Sequence, residues 1–195
     1  MTDARTRLVA DRIEASVAVH RDLLDPELCA LVADVAGAIA ESLRRGGKLV
    51  LFGNGGSAAD AQHIAAELVG RYLRDRAALP ALALTDNSSI LTAVANDYGY
   101  DHVFKRQVEA VCRAGDVALA LSTSGDSPNV VAGVEAARTA GARTVGLTGA
   151  GGGHLLELCD VCIRVPSDDT PRIQEAHALI GHVLCEIVED ELGGR

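Results

Sequence analysis

Four side chains in this sequence have the chemistry to bind a metal or move protons: His63 and Glu67 in the first half of the chain, Gln174 and His182 near its end. His63 and Glu67 stand four positions apart, so on a helix both project from one face. Gln174 and His182 stand eight positions apart, slightly over two turns, and also share a face. His177 is rotated from His182 by more than about 100°. Two imidazoles, a carboxylate and a carboxamide are N and O donors of the kind zinc accepts. The carboxylate and imidazoles equally suit acid–base work. Histidines on an apolar helix usually pack with one nitrogen satisfied, so either function requires that the two helical faces meet.

Two loops beside these residues suit an anionic ligand. Gly53, Asn54, Gly55, Gly56 and Ser57 follow the apolar run from Lys48 to Phe52 and precede helical spacing from Ala58 onward. Ser57 is expected to cap that helix, whose free N–H groups and positive dipole end would face the loop. Gly53, Gly55 and Ala58 also satisfy the loose dinucleotide fingerprint, which places a ribose-binding acid about 20 residues on. Asp86 lies well beyond that spacing. The second loop is Ser122, Thr123, Ser124, Gly125, Asp126 and Ser127, followed by Pro128, a residue suited to a first helical turn. Its four hydroxyls and adjacent backbone N–H groups can cradle a single phosphate. Alone, such a loop is often only a capped turn. Beside a glycine turn, it favours a sugar phosphate over a nicotinamide.

The elements that must position these groups alternate. Apolar runs at Lys48–Phe52, Ala81–Thr85, Val117–Leu121, Thr144–Leu147 and Val161–Val165 predict strands. Helical spacing fills 58–72, 88–96, 101–113, 128–140 and 153–158, and a last helix runs from Thr170 to about Leu192. Two further helices, 4–24 and 27–45, come first, separated by Asp25 and Pro26 and ended by Gly46 and Gly47. The alternation predicts an α/β three-layer sandwich with a five-stranded parallel sheet, flavodoxin- or Rossmann-like, plus an N-terminal helical pair. Ligands of such sheets bind where strands end and helices begin.

Composition narrows the function classes. A chain of 195 residues, 48% hydrophobic and 23% charged, is expected to form one domain over residues 1–195. Net charge of -9 argues against nucleic-acid binding, and 3% aromatic content leaves few stacking surfaces. No apolar run approaches a membrane span. Five cysteines and a polar beginning without a secretory leader are expected of a cytoplasmic protein. Cys159 and Cys162 have the spacing of a zinc or redox pair but lack a second pair, and read as small buried hydrophobes. Apolar faces on the first two helices and on the last either complete the core or meet other subunits.

Taken together, the motifs resemble the sugar isomerase (SIS) fold, and within it the bacterial phosphoheptose isomerases. The carriers are Gly53 to Ser57; Gln62, His63 and Glu67 through Gly70, Arg71 and Tyr72; Ala95, Asn96 and Asp97; the Ser122–Ser127 loop; and Arg172 to Glu175 followed by His182. This resemblance implies an aldose–ketose isomerase that converts sedoheptulose 7-phosphate to D-glycero-D-manno-heptose 7-phosphate through a cis-enediol(ate), the first step of nucleotide-activated heptose biosynthesis. It implies sugar contacts from Asn54, Gly55, Gly56, Glu67, Asn96, Asp97 and Gln174, and phosphate contacts from Ser122, Thr123, Ser124 and Ser127. Glu67 and His182 would be the acid–base residues, and His63, Glu67, Gln174 and His182 the ligands of one zinc ion per subunit. The family's homotetramers, with sites completed by neighbours, would give residues 4–45 a role in oligomerisation. Asp126 departs from the asparagine usual in the family's phosphate loop, and is expected to face solvent or a basic neighbour. The competing implication is a non-catalytic SIS-domain binding protein resembling the factor that associates with the bacterial replication initiator.

Overall fold

In the computed structural model, which describes residues 3–193, five parallel strands form one sheet between two layers of helix. The chain begins with α1 (Ala4–Asp22) and α2 (Pro26–Arg44), then runs β1 (Leu49–Gly53), α3 (Gly56–Val69), β2 (Ala81–Ala83) and α4 (Ser88–Tyr98). A 3-10 turn (Tyr100–His102) leads into α5 (Val103–Val111), β3 (Val117–Leu121) and α6 (Pro128–Thr139). It closes with β4 (Arg143–Thr148), α7 (Gly153–Leu158), β5 (Val161–Arg164) and α8 (Thr170–Leu192). The expected architecture is therefore present, with element ends displaced by a few residues. At the break between the first two helices, Asp25 accepts from the N–H groups of Glu27 and Leu28 at 3.0 and 2.9 Å, with Pro26 in the first turn.

Strand periodicity divides the core. Leu49 and Leu51 of β1, with Leu119 and Leu121 of β3, face the layer built from α2, α3 and α8. Val50, Phe52, Ala118 and Ala120 face the other layer, with Val108 of α5, Val134 of α6 and Leu155 of α7. The strands are apolar almost throughout because both faces are covered.

Sheet order is β2-β1-β3-β4-β5, so the direction of winding reverses between β1 and β3. A crevice is expected at that reversal. The register pairs Gly53 with Leu121, so the glycine turn and the hydroxyl loop leave the sheet side by side. Helices α3 and α8 pack closely, with Ile64 against Gly181. This contact brings the two faces carrying the candidate ligands together.

Candidate active site

His63, Glu67 and His182 meet where α3 packs on α8. Their donor atoms all lie within 4.8 Å of one another. His63 Nε2 is 3.1 Å from Glu67 Oε1, and the His63 and His182 rings meet edge-on with centroids 5.0 Å apart. On its other side His182 stacks on Tyr72 at 5.6 Å. The two imidazoles and one carboxylate form a donor set compact enough for a metal ion. Gln174 lies toward the start of α8, its amide packed against the α carbon of Gly56. A β carbon on Gly56 would come within 2.5 Å of Gln174 Nε2, so this position must stay bare to keep the amide where it is.

The glycine turn differs from expectation in one detail. Gly55, not Ser57, occupies the N-cap position of α3, and it does so with φ at 57°, a conformation natural to glycine. Ser57 is already inside the first turn and is buried. The helix N-terminus, directly after the glycine turn, has no side-chain cap.

The hydroxyl loop is internally ordered. Ser122 Oγ lies 3.2 Å from Ser127 Oγ and 3.5 Å from Ser124 Oγ, and accepts from the Gly125 N–H at 3.2 Å. Thr123 is half-buried and its carbonyl accepts from Gly149 N–H at 3.0 Å. Asp126 is turned out of the loop. Its Oδ1 accepts from the His154 backbone N–H at 2.8 Å and lies 2.6 Å from His154 Nδ1. These contacts, the backbone N–H foremost, hold its carboxyl below the usual carboxylate range. Asp126 is thus met by a basic neighbour, His154, as expected.

Several contributors were invisible in the sequence. Asn129, buried near the start of α6, exchanges two hydrogen bonds with Asn54 at 2.8 and 2.9 Å. This amide pair stitches the glycine turn to the hydroxyl loop. Tyr100 donates its hydroxyl to Asn54 Oδ1 at 3.4 Å. Asp60, one turn before His63, has an Oδ2 atom that is buried without a hydrogen-bond partner among the described residues. Burial pushes its carboxyl up, against the opposing effect of His63. Only an acidic residue at helical spacing from His63 and Glu67 could have hinted at it.

Asn96 and Asp97 stand apart from this assembly. Both are exposed near the end of α4, where Asn96 Nδ2 donates to Asp97 Oδ1 at 2.8 Å. Among the described residues no hydrogen bond joins either to the glycine turn. His177 points elsewhere, as its rotation required: it is fully buried and its Nε2 donates to the Thr148 carbonyl at 3.2 Å. Cys159 and Cys162 are half-buried free thiols, and burial pushes Cys159 up to about 12. Among the described residues neither thiol joins a cluster of three or more metal-ligating side chains, which fits packing better than zinc binding.

Comparison with known proteins agrees with this geometry. Residues 15–149 match the SIS domain family. The phosphoheptose isomerase of Rhodospirillum rubrum is 62% identical over 161 residues, covering 83% of this chain and 86% of that protein. Its counterpart from Roseiflexus sp. is 56% identical over 191 residues, 98% of this chain and 96% of the other. The solved phosphoheptose isomerase structure from Neisseria gonorrhoeae superposes with a TM-score of 0.91 at 40% identity, over 96% of this chain and all of that one. The fold, the adjacent glycine and hydroxyl loops and these relatives lead to one assignment: the chain belongs to the SIS domain family, among the phosphoheptose isomerases.

Proposed function

We propose that this site isomerises sedoheptulose 7-phosphate to D-glycero-D-manno-heptose 7-phosphate, with Glu67 and His182 moving the protons. The observation that supports it most is the gathering of His63, Glu67 and His182 within 4.8 Å, in a chain 62% identical to a phosphoheptose isomerase. Ser122, Thr123, Ser124 and Ser127 hold the phosphate, with hydroxyls and backbone N–H groups replacing its water shell. Asn54, Gly55, Gly56, Asn96, Asp97 and Gln174 contact the sugar chain.

With the ketose bound, the Glu67 carboxylate takes a proton from C1, and that electron pair forms the C1–C2 double bond. The C2 carbonyl oxygen receives a proton from His182, giving the cis-enediol. His182 then removes the O1 proton as the C1 carbonyl forms, and Glu67 returns a proton to C2. Each residue ends as it began. His63, 3.1 Å from Glu67, orients the carboxylate, and Tyr72 backs the His182 ring. His63, Glu67 and His182, whose donor atoms lie within 4.8 Å of one another, would hold a zinc ion, with Gln174 as its fourth ligand, and the bound ion would polarise the substrate oxygens as a Lewis acid.

Residues 1–195 form a single SIS domain that assembles as a cytoplasmic homotetramer, with helices in 4–45 at the interfaces. Support comes from α1 and α4, neither of which has a buried residue, and from the apolar stripe of Val9, Ile13 and Val17 left 59%, 58% and 41% exposed on α1. No helix of the described residues is long and apolar enough to cross a membrane. The non-catalytic binding role is not favoured, because the chain keeps its acid–base residues and its relatives at 50–62% identity are named as isomerases.

Conversion of C5, C6 and C7 ketose phosphates by the purified protein tests the assignment. Preference for a pentose or hexose phosphate would reject the heptose substrate while leaving an isomerase. Metal analysis before and after chelation, alongside turnover, tests zinc: full activity of metal-free protein would remove it from the reaction.

A further inference from the structure

Seven residues beyond His182 on α8 lies Glu189, a carboxylate only 1% exposed. It accepts three backbone N–H groups from the loop that follows α3: Tyr72 at 3.0 Å, Leu73 at 2.7 Å and Arg74 at 2.9 Å. Arg76 Nε lies 3.2 Å from Glu189 Oε1, an ion pair without hydrogen-bond alignment, and both side chains are almost wholly buried. The rest of the guanidinium turns back on α3, donating to the Glu67 and Leu68 carbonyls, each at 2.8 Å. The loop would be held as firmly by an apolar plug, since a buried ion pair seldom outperforms well-packed hydrophobic residues in stability. What an apolar plug cannot do is reach specific carbonyl and N–H groups. Here those groups belong to Glu67 itself and to Tyr72, whose ring stacks on His182.

We propose that Glu189 and Arg76 are positioning residues for the isomerisation: one buried ion pair fixes the backbone of Glu67 through Arg76 and the ring of His182 through Tyr72, and so sets the separation of the two proton-transfer groups. The inference rests on the reading of Glu67 and His182 as the acid–base pair. It assigns work to residues outside the substrate pocket, whose loss acts on chemistry and not on sugar-phosphate binding. Burial opposes ionisation of Glu189, but the three N–H donors and Arg76 outweigh it and hold the carboxyl below its usual range. The pair is therefore charged at neutral pH, as the fastening requires.

The test uses the full chain with Glu189→Gln, Tyr72→Leu and Tyr72→Phe. Glu189→Gln is expected to lower kcat 10- to 100-fold, change KM less than threefold, and accelerate hydrogen exchange at the Tyr72, Leu73 and Arg74 amides. Nuclear magnetic resonance of the imidazole nitrogens, without substrate, should show the His182 signals moved. Tyr72→Leu leaves the buried pair in place, so it remains informative should Glu189→Gln fold poorly. It should lower kcat about tenfold, whereas Tyr72→Phe keeps the stacked ring and should restore most of the rate. Wild-type kcat in Tyr72→Leu, or in folded Glu189→Gln with its loop amides exchanging freely, overturns the inference. If Glu67→Gln retains full turnover, the acid–base reading has failed instead, and the His182 signals still report whether the fastening exists.

Discussion

Helix α8 buries nine residues, among them His177 and Glu189, while α4 buries none, although both carry residues assigned to the same site. Gln174 and His182 project from a helix clamped against α2 and α3. Asn96 and Asp97 project from one whose outer face shows Ile90, Tyr98 and, just beyond it, Tyr100 to solvent. Groups that move protons must be held to fractions of an ångström, and the proposed pair, Glu67 and His182, sits where α3 packs on α8. Asn96 and Asp97, proposed to contact the sugar, lie on an incompletely covered surface. The difference fits the proposed assembly, in which the α3–α8 cluster, the reactive half, is complete within one subunit and the exposed α4 face, the recognition half, is finished by a neighbour.

Disabling the reactive half gives the largest expected effect. Glu67→Gln should lower kcat by about 10²- to 10⁴-fold, the range of a lost general base, with thermal stability little changed because the side chain is partly open to solvent. A steady-state assay with a melting curve checks both.

How dry α8 is can be measured through His177. Its Nε2–H is committed to the Thr148 carbonyl, so a second proton must enter at Nδ1, a buried atom without a partner among the described residues. Burial accordingly lowers its pKa to about 4, from the ordinary 6.5, despite the Thr148 hydrogen bond. Between those values the unfolded chain binds the proton and the folded chain does not, so stability rises with pH across that window. It is lost as pH falls from 6.5 toward 4, by up to about 3 kcal/mol. His177→Gln can still donate to the carbonyl but cannot titrate, and should flatten that part of the stability profile in urea unfolding. An unchanged slope would mean that this face is wetter than its packing indicates.

The open half should respond to changes at the subunit surface. Ile13→Asp, on a face 58% exposed in the single chain, is expected to shift the assembly toward smaller species in light scattering. Activity should fall about tenfold through KM as the recognition half loses its cover. Retained assembly and KM would show that α1 is simply a solvated helix. Asp126→Asn should matter least. The amide keeps an acceptor for the His154 N–H, and the native carboxylate is already engaged by His154 and not by the loop hydroxyls proposed to hold the phosphate. KM should change less than about threefold, the scale of an exposed ion pair.

The same contrast governs how legible the site was in the sequence. Strands covered on both faces announce themselves as continuous apolar runs, which is why β3 was readable to its ends and the others to within a few residues. His63 with Glu67, and Gln174 with His182, were readable as pairs because helical spacing is local. That the pairs meet depends on Ile64 against Gly181, a contact between distant segments. Asn129 was missed because its partner Asn54 lies 75 positions away, and an asparagine at a helix start has a sufficient local explanation in capping. Ser57 was misassigned for the converse reason: a good capping residue stood two positions after Gly55, whose positive φ had already made the turn. Glu189 resembled one more acid in a charged helix end until the loop N–H groups around it were seen.

The most direct measurement follows sedoheptulose 7-phosphate in deuterium oxide by nuclear magnetic resonance with wild type, Glu67→Gln and His182→Gln. Wild type should form the aldoheptose 7-phosphate and exchange the migrating hydrogen with solvent to a measurable extent. Glu67→Gln should lose both turnover and exchange, and His182→Gln should lose turnover. Turnover at the wild-type rate by folded Glu67→Gln would contradict the proposed role of the α3–α8 cluster as the seat of proton transfer.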